Sequence, residues 1–156
     1  MRDRGWMSAG TIGIALLVIA AVLFFWGKNG YNSFTTKEEA VNKKWSNVET
    51  VYQKRANLIP NLENTVKSYS QFEKETLTQV IEARSKATSI NIDPTNMTEA
   101  DMAKFQAAQG ELTGALSRLM AVVESYPNLK ADQQYLNFQR EYTAIENSIR
   151  SETVYF

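Results

Sequence analysis

The chain has 156 residues, balances 17 lysines and arginines against 17 aspartates and glutamates, and contains neither cysteine nor histidine. The balanced charge argues against a nucleic-acid-binding domain, which would show a basic face. The lack of cysteine excludes disulfides and thiolate metal sites. The lack of histidine removes the commonest general base and the usual zinc ligand. We therefore expect no catalytic site, no metal site and no cofactor in this chain.

The first predicted element is a membrane helix. The segment "WMSAGTIGIALLVIAAVLFFW", residues 6–26, carries no charged side chain and would rise about 31 Å as a helix, enough to cross the hydrocarbon core. Trp6 and Trp26 would lie at the two interfaces with water, where indole rings prefer to be. A cleaved signal peptide is the alternative, but the long apolar run ends in Phe-Phe-Trp, without a small-residue cleavage site. We therefore predict a short tail, residues 1–5, and a retained single-pass anchor in the lipid bilayer.

Small residues mark one face of this predicted anchor. Ala9, Gly13 and Ala20 recur at helical spacing and fall on the same side. In lipid, close approach at small residues is what favours helix association, because apolar side chains gain nothing by leaving one hydrocarbon environment for another. The sequence therefore predicts a homo-oligomer that associates through this face.

The charges on either side of the anchor predict its orientation. Arg2 and Arg4 precede the apolar run, whereas the lysines that follow it alternate with Glu38 and Glu39. This arrangement is typical of an uncleaved signal anchor with its N terminus inside, although a simple count of basic residues slightly favours the reverse. We predict that the C-terminal domain lies outside the cytoplasm.

A linker and a first bundle helix follow the anchor. Residues 27–34 contain glycines and turn-forming residues and are predicted to be a juxtamembrane linker. Thr35 or Thr36 can cap a helix at the start of a domain that covers residues 35–156. The apolar stripe of this helix is Val41, Trp45, Val48 and Tyr52.

Pro60 interrupts the apolar cluster of "QKRANLIPNL", residues 53–62. Proline lacks the backbone N–H and disfavours helical geometry at the residue before it, yet it fits the first turn of a helix. The sequence therefore predicts a tight turn over residues 57–59 and a new helix from Pro60. Lys54 and Arg55 would end the preceding helix, and Glu63 would be their counter-charge. A continuous helix kinked at Pro60 is the alternative.

Three further helices complete the predicted domain. The second runs from Pro60 to about Ala87, and "SINIDPTNMT", residues 89–98, is a loop by composition. Thr98 begins the third helix, with Asp101 completing a partial capping box. Its heptad stripe is Met102, Phe105, Gln109, Leu112, Leu116, Leu119, Val123 and Tyr126. The fourth stripe is Tyr135, Phe138, Tyr142, Ile145, Ile149 and Phe156. No segment alternates with period two, so we predict an all-α fold: one transmembrane helix followed by an elongated antiparallel bundle of about four helices.

The motifs in residues 42–87 and 119–152 resemble those of the LemA family. The shared features are Trp45, the basic pair Lys54 and Arg55, the Leu-Ile-Pro-Asn-Leu segment 58–62, Thr-Val-Lys at 65–67, Ala-Arg at 83–84, and two later blocks at 124–129 and 146–149. Lys54 departs from the arginine more usual at its position, and the sequence ends at Phe156, before the family's usual Tyr-Asn continuation. The residues that we single out from the motif and from the predicted turn at Pro60 are Trp45, Lys54, Arg55, Asn57, Pro60, Asn61 and Glu63.

The resemblance implies a helical protein of the bacterial cytoplasmic membrane with no established enzymatic activity. Genes of the family often lie near those of membrane metalloproteases or TPM-domain proteins, which implies such proteins as partners in envelope maintenance. With no catalytic side chains in view, we predict a non-enzymatic scaffold or adaptor. A sensor with a small-molecule site between helices is the alternative. A hydrolase using Glu111 and Glu124 is a third reading, but their spacing places them on different faces of one helix.

Overall fold

The computed structural model of the chain describes residues 9–154, apart from the side chains of Ala9, Asn32 and Phe34. The helices are α1 (Ala9–Lys67), α2 (Lys74–Ser89), α3 (Glu99–Val123), α4 (Pro127–Lys130) and α5 (Gln133–Thr153). All regular secondary structure in this part of the chain is helical, so the all-α prediction is confirmed. The predicted tail (residues 1–5), Trp6 and Phe156 lie outside the described residues.

The chain divides into two units, residues 1–41 and residues 42–156. In the first unit, α1 exposes a run of large apolar side chains between Ile12 and Trp26. Among the helices that the structure describes, α1 alone is long and apolar enough to cross a membrane, and none of its apolar window is buried. Residues 27–34 are helical rather than an irregular linker, because single glycines cost a helix only about 1 kcal/mol each. Val41 is exposed and does not join the predicted stripe.

The second unit is a helical bundle built from α1 from residue 42 onward, α2, α3 and α5, with the single turn α4 between the last two. Two contacts define the direction of α5: Asp132, before its first residue, accepts a 2.8 Å hydrogen bond from Tyr69, just after α1, whereas Glu146 lies 2.9 Å from Arg55, well before the end of α1. The helix α5 therefore runs antiparallel to α1. Arg84, late in α2, contacts Ala56, so α2 also runs back along α1.

The apolar stripes form the core of this unit. The main cluster combines side chains from α1, α2, α3 and α5, with Leu112, Leu116, Leu119 and Val123 of α3 fully buried. A smaller cluster places Trp45 and Val48 against Phe105 and Ile92, which belongs to the loop between α2 and α3. At about 25 cal/mol per Å² of buried apolar surface, such clusters supply most of the favourable free energy of folding.

The predicted turn at residues 57–59 is wrong, and so is the predicted helix from Pro60 to Ala87. The helix α1 continues through Pro60 to Lys67, and the chain reverses only after it, between Lys67 and Lys74. There the amides of Ser68 and Tyr69 bond carbonyls three residues back, which tightens the end of α1. Phe72 is then buried against Tyr126, and this contact holds the reversal in place.

Two helix starts follow directly from local sequence. Thr98 Oγ1 accepts a 3.1 Å hydrogen bond from the amide of Asp101, and the Asp101 carboxylate accepts one of 3.3 Å from the amide of Thr98. This reciprocal pair confirms the predicted capping box. Asp132 caps α5 with its own side chain, which accepts hydrogen bonds from the amides of Gln134 and Tyr135.

Candidate functional site

Arg55 is the most deeply buried charged side chain that the structure describes, with 2% of its surface exposed. Its Nη1 donates to Thr113 Oγ1 at 2.7 Å and to Glu146 Oε1 at 2.9 Å. Its Nη2 donates to the side-chain oxygen of Gln109 at 2.7 Å and to the Gln109 carbonyl at 3.0 Å. One guanidinium thus joins α1, α3 and α5 in the middle of the bundle.

Two tyrosine rings accompany this network. The guanidinium carbon of Arg55 lies 5.2 Å from the centre of the Tyr52 ring, within cation–π distance. Burial raises the pKa of Tyr52, which the positive charge of Arg55 partly offsets. Burial and the carboxylate of Glu146 raise the pKa of Tyr142 to about 12, against the lowering effect of Arg55. Both tyrosines are therefore neutral at physiological pH.

A second arginine binds the backbone next to Pro60. In a helix, the amide of residue 60 would donate to the carbonyl of Ala56, but proline has no N–H to give. Arg84 Nε, from α2, lies 2.9 Å from that carbonyl oxygen and donates to it instead. The proline and the arginine of the motif therefore act together: one exposes a carbonyl and the other binds it.

The remaining motif residues are spread over core and surface. Trp45 is buried, with its ring 5.2 Å from that of Phe105 in an edge contact. Exposed positions are taken by Lys54, Asn57, Pro60 and Asn61. Glu63 pairs with Lys67 one turn later and not with Lys54 or Arg55, so the predicted counter-charge is wrong. In the anchor, Gly13 and Ala20 are exposed, while the side chain of Ala9 is not described.

Sequence reasoning missed the partners of Arg55. Gln109 is a polar residue within the apolar heptad stripe of α3, and Glu146 lies in the family-like block 146–149, but nothing local in the sequence connects either residue with Arg55. The available signal was that each is a polar group on an otherwise apolar helix face. Buried polar groups need hydrogen-bond partners, so polar residues on the apolar faces of different helices are candidates to bond each other.

The chemistry of this arrangement is that of a fixed cross-link between helices. Arginine stays charged in proteins and has no acceptor, and Tyr142 keeps its proton until strongly alkaline pH. Neither group can exchange a proton near neutral pH. Among the described residues, no group of three or more acidic residues could hold a metal ion. What the network can do is fix the register of three helices.

A cleft of about 370 Å³ adjoins the network between α1, α2 and α3. Rings of Tyr52 and Phe105 line it together with the amide side chains of Gln53, Asn91 and Gln109. The rings meet edge to face, with centres 5.1 Å apart. Gln109 is thus shared between the cleft and the hydrogen bonds of Arg55.

Comparison with known proteins gives consistent matches. A model of the LemA family matches residues 44–156. Protein LemA of Metamycoplasma hominis is 26% identical over 118 residues, which cover 76% of this chain and 50% of that protein. Magnetosome protein MamQ of Magnetospirillum gryphiswaldense is 25% identical over 138 residues, covering 78% of this chain and 51% of its own length. The chain spans about half the length of the curated relatives that it matches.

Proposed function

This chain belongs to the LemA family, and from that premise we propose that it is a non-enzymatic, membrane-anchored scaffold or adaptor of the bacterial cell envelope. The observation that carries the proposal is the contrast between its two units. The first unit exposes an apolar helical surface from Ile12 to Trp26. The second unit buries the charged side chain of Arg55, which bonds other helices of the same unit.

The first unit supports membrane attachment. Leaving large apolar side chains such as Leu17, Phe25 and Trp26 in water is costly. A bilayer core matches the length of the apolar helical segment and its lack of charged residues. Trp26 suits the interfacial region. The face carrying Gly13 and Ala20 is exposed, and small residues on such a face would let a second membrane helix approach closely, which supports self-assembly.

The second unit supports a binding role in preference to a catalytic one. Arg55 is tied to Gln109, Thr113 and Glu146, and Tyr142 is held protonated, so the buried ionisable groups hold helices together. A cross-linked bundle of this kind offers rigid helix faces to partners. The family resemblance suggests membrane metalloproteases and TPM-domain proteins as such partners.

Orientation is part of the proposal, and Gln71 offers a way to measure it. Gln71 is exposed and lies in the turn between α1 and α2, not on a helix as the sequence suggested. We expect Gln71→Cys to react with a membrane-impermeant maleimide in intact, outer-permeabilised cells, because the bundle lies in the periplasm. Labelling only after lysis would place the bundle in the cytoplasm. The native chain contains no cysteine, so the background is low.

Copurification from native membranes tests the adaptor function. The full chain is compared with a chimera that keeps residues 1–41 and replaces the bundle with an unrelated helical bundle of similar size. Membrane proteins that copurify with the full chain and not with the chimera are expected. An identical set from both chains would mean that the bundle recruits nothing.

The cleft beside Gln109 favours a second candidate, a sensor with a small-molecule site. Its lining combines aromatic rings, amide side chains and the carboxylate of Glu49, which suits a small polar ligand that carries hydrogen-bond donors or a positive charge beside an apolar ring or chain. Thermal-shift screening of a polar fragment library against the full chain and against Gln53→Leu tests this. Stabilisation of the unmodified chain that Gln53→Leu abolishes would support the sensor function.

A further inference from the structure

An apolar groove runs along the outside of the bundle between α3 and α5. This open groove has a volume of about 850 Å³. Met120 of α3 lines it together with six residues of α5, namely Gln133, Leu136, Gln139, Arg140, Tyr142 and Thr143. It is separate from the Gln109 cleft, which lies between α1, α2 and α3.

The groove exposes apolar surface in a bundle whose outward side chains are otherwise mostly polar. Leu136 is 38% exposed, although it lies in the first half of a well-formed helix. Met120 is half-buried beside it, and the Tyr142 ring is buried beneath. Exposed apolar side chains that line a groove between two helices can contact an incoming helix.

The charge of the groove indicates what occupies it. Of the described residues that line it, Arg140 alone is charged. Its hydrogen-bond partner is the Asn137 side chain on its own helix, and among the residues that the structure describes no carboxylate forms an ion pair with it. The groove therefore combines an apolar floor with a single uncompensated cation.

We propose that this groove binds an amphipathic helix of a partner protein, with apolar side chains on Met120 and Leu136 and an acidic side chain paired with Arg140. The inference rests on the proposed adaptor function and specifies the partner's chemistry. A groove between two helices receives a third helix through residues spaced at i, i+3 or i+4, and i+7. Arginine can then bind the incoming carboxylate through two parallel hydrogen bonds.

The test uses a displayed library of helical peptides with an apolar stripe and randomised flanking positions, selected on the full chain in nanodiscs. Selected peptides should share an aspartate or glutamate at one fixed offset from the stripe. Peptides selected on the Arg140→Glu variant should carry lysine or arginine at that offset in place of the acidic residue. Leu136→Asp should weaken the selected peptides by about 30-fold, the size of an interface hot spot.

The matched control is Arg118→Glu, an exposed arginine on α3 that does not line the groove, and it should change nothing. Peptides without a common acidic position, or equal binding to Leu136→Asp, would overturn the proposal. So would disulfide-linked dimers that form in nanodiscs with Leu136→Cys but not with the exposed control Arg118→Cys, since a second copy would then fill the groove. In native membranes, a partner set unchanged by Leu136→Asp would overturn the groove and leave the adaptor function intact.

Discussion

Arg84 Nε donates a 2.9 Å hydrogen bond to the carbonyl oxygen of Ala56. This is the carbonyl that lacks its usual helical donor, because Pro60 has no N–H. The contact joins α2 to α1 at the one position where α1 lacks an internal hydrogen bond because of proline. It explains why a proline can lie inside α1 without ending it. The proline costs α1 a hydrogen bond, and a side chain from the next helix replaces it.

This replacement predicts coupling between positions 60 and 84. Arg84→Ala should lower the free energy of unfolding by about 2 kcal/mol, the scale of a hydrogen bond that involves a charged group. In a Pro60→Ala background the loss should be clearly smaller, because the backbone amide restored at position 60 would bond the Ala56 carbonyl itself. Pro60→Ala alone should stabilise the chain, by at most about 3 kcal/mol. Denaturant unfolding of the four chains in detergent measures the coupling, and strictly additive effects would refute it.

The adjacent basic residues Lys54 and Arg55 should behave very differently. Arg55→Lys should cost about 3 kcal/mol, because an ammonium group cannot reach Gln109, Thr113 and Glu146 together and leaves buried partners unsatisfied. Lys54→Arg is the matched control: Lys54 is exposed, and surface substitutions usually change stability by less than about 0.5 kcal/mol. Thermal unfolding followed by circular dichroism compares the two variants. Similar losses in both would contradict the burial of Arg55.

Tyr142 should titrate at strongly alkaline pH and should make stability depend on pH there. Its pKa is raised to about 12 from an ordinary value of 10.0, so folding favours the protonated form. The stabilisation that this provides is fully present below pH 10 and is lost as pH rises toward 12. Absorbance at the tyrosinate band should show one late transition that Tyr142→Phe removes. Loss of an early transition instead would contradict the assignment.

Asp132 should contribute to stability in the opposite range of pH. The hydrogen bond from Tyr69, together with the two amides that it caps, lowers the pKa of its carboxyl below the ordinary 3.8. The stabilisation is therefore present above pH 3.8 and is lost as pH falls through the lower, folded-state value. Asp132→Asn keeps a capping oxygen but cannot titrate, so its unfolding free energy should fall less steeply with acid. Parallel acid curves for the two chains would show that Asp132 takes no part.

Association through the anchor should depend on Gly13. Gly13→Leu places a large side chain on the face shared with Ala20 and should lower the oligomeric state in nanodiscs, because it prevents close helix approach. The bundle should stay folded, since the single chain leaves open space at Gly13. Ala15→Leu, on the opposite side of the helix, is the control and should have no effect. An unmodified chain that is monomeric by native mass spectrometry in two gentle detergents would exclude this mode of assembly.

Local chemistry in the sequence determined much of the architecture. The apolar run before residue 27, the stripes of α3 and α5 and the Thr98–Asp101 capping box depend on neighbours within one helix, and the structure retains them. The family resemblance also needed only local motifs. The helical repeat determines which residues lie on the same face of a helix, so the large core residues of α3 could be predicted, whereas its buried Ala108 and Ala115 were missed.

The tertiary structure decided where α1 ends and what the buried arginine binds. Proline removes a donor whatever the fold, but whether the helix stops there depends on another group reaching the free carbonyl, and Arg84 comes from a different helix. Arg55 likewise finds Glu146, 91 positions along the chain, and not Glu63 nearby. A burial cost can be inferred from one residue, whereas the partner that offsets it is fixed only when distant helices pack side by side.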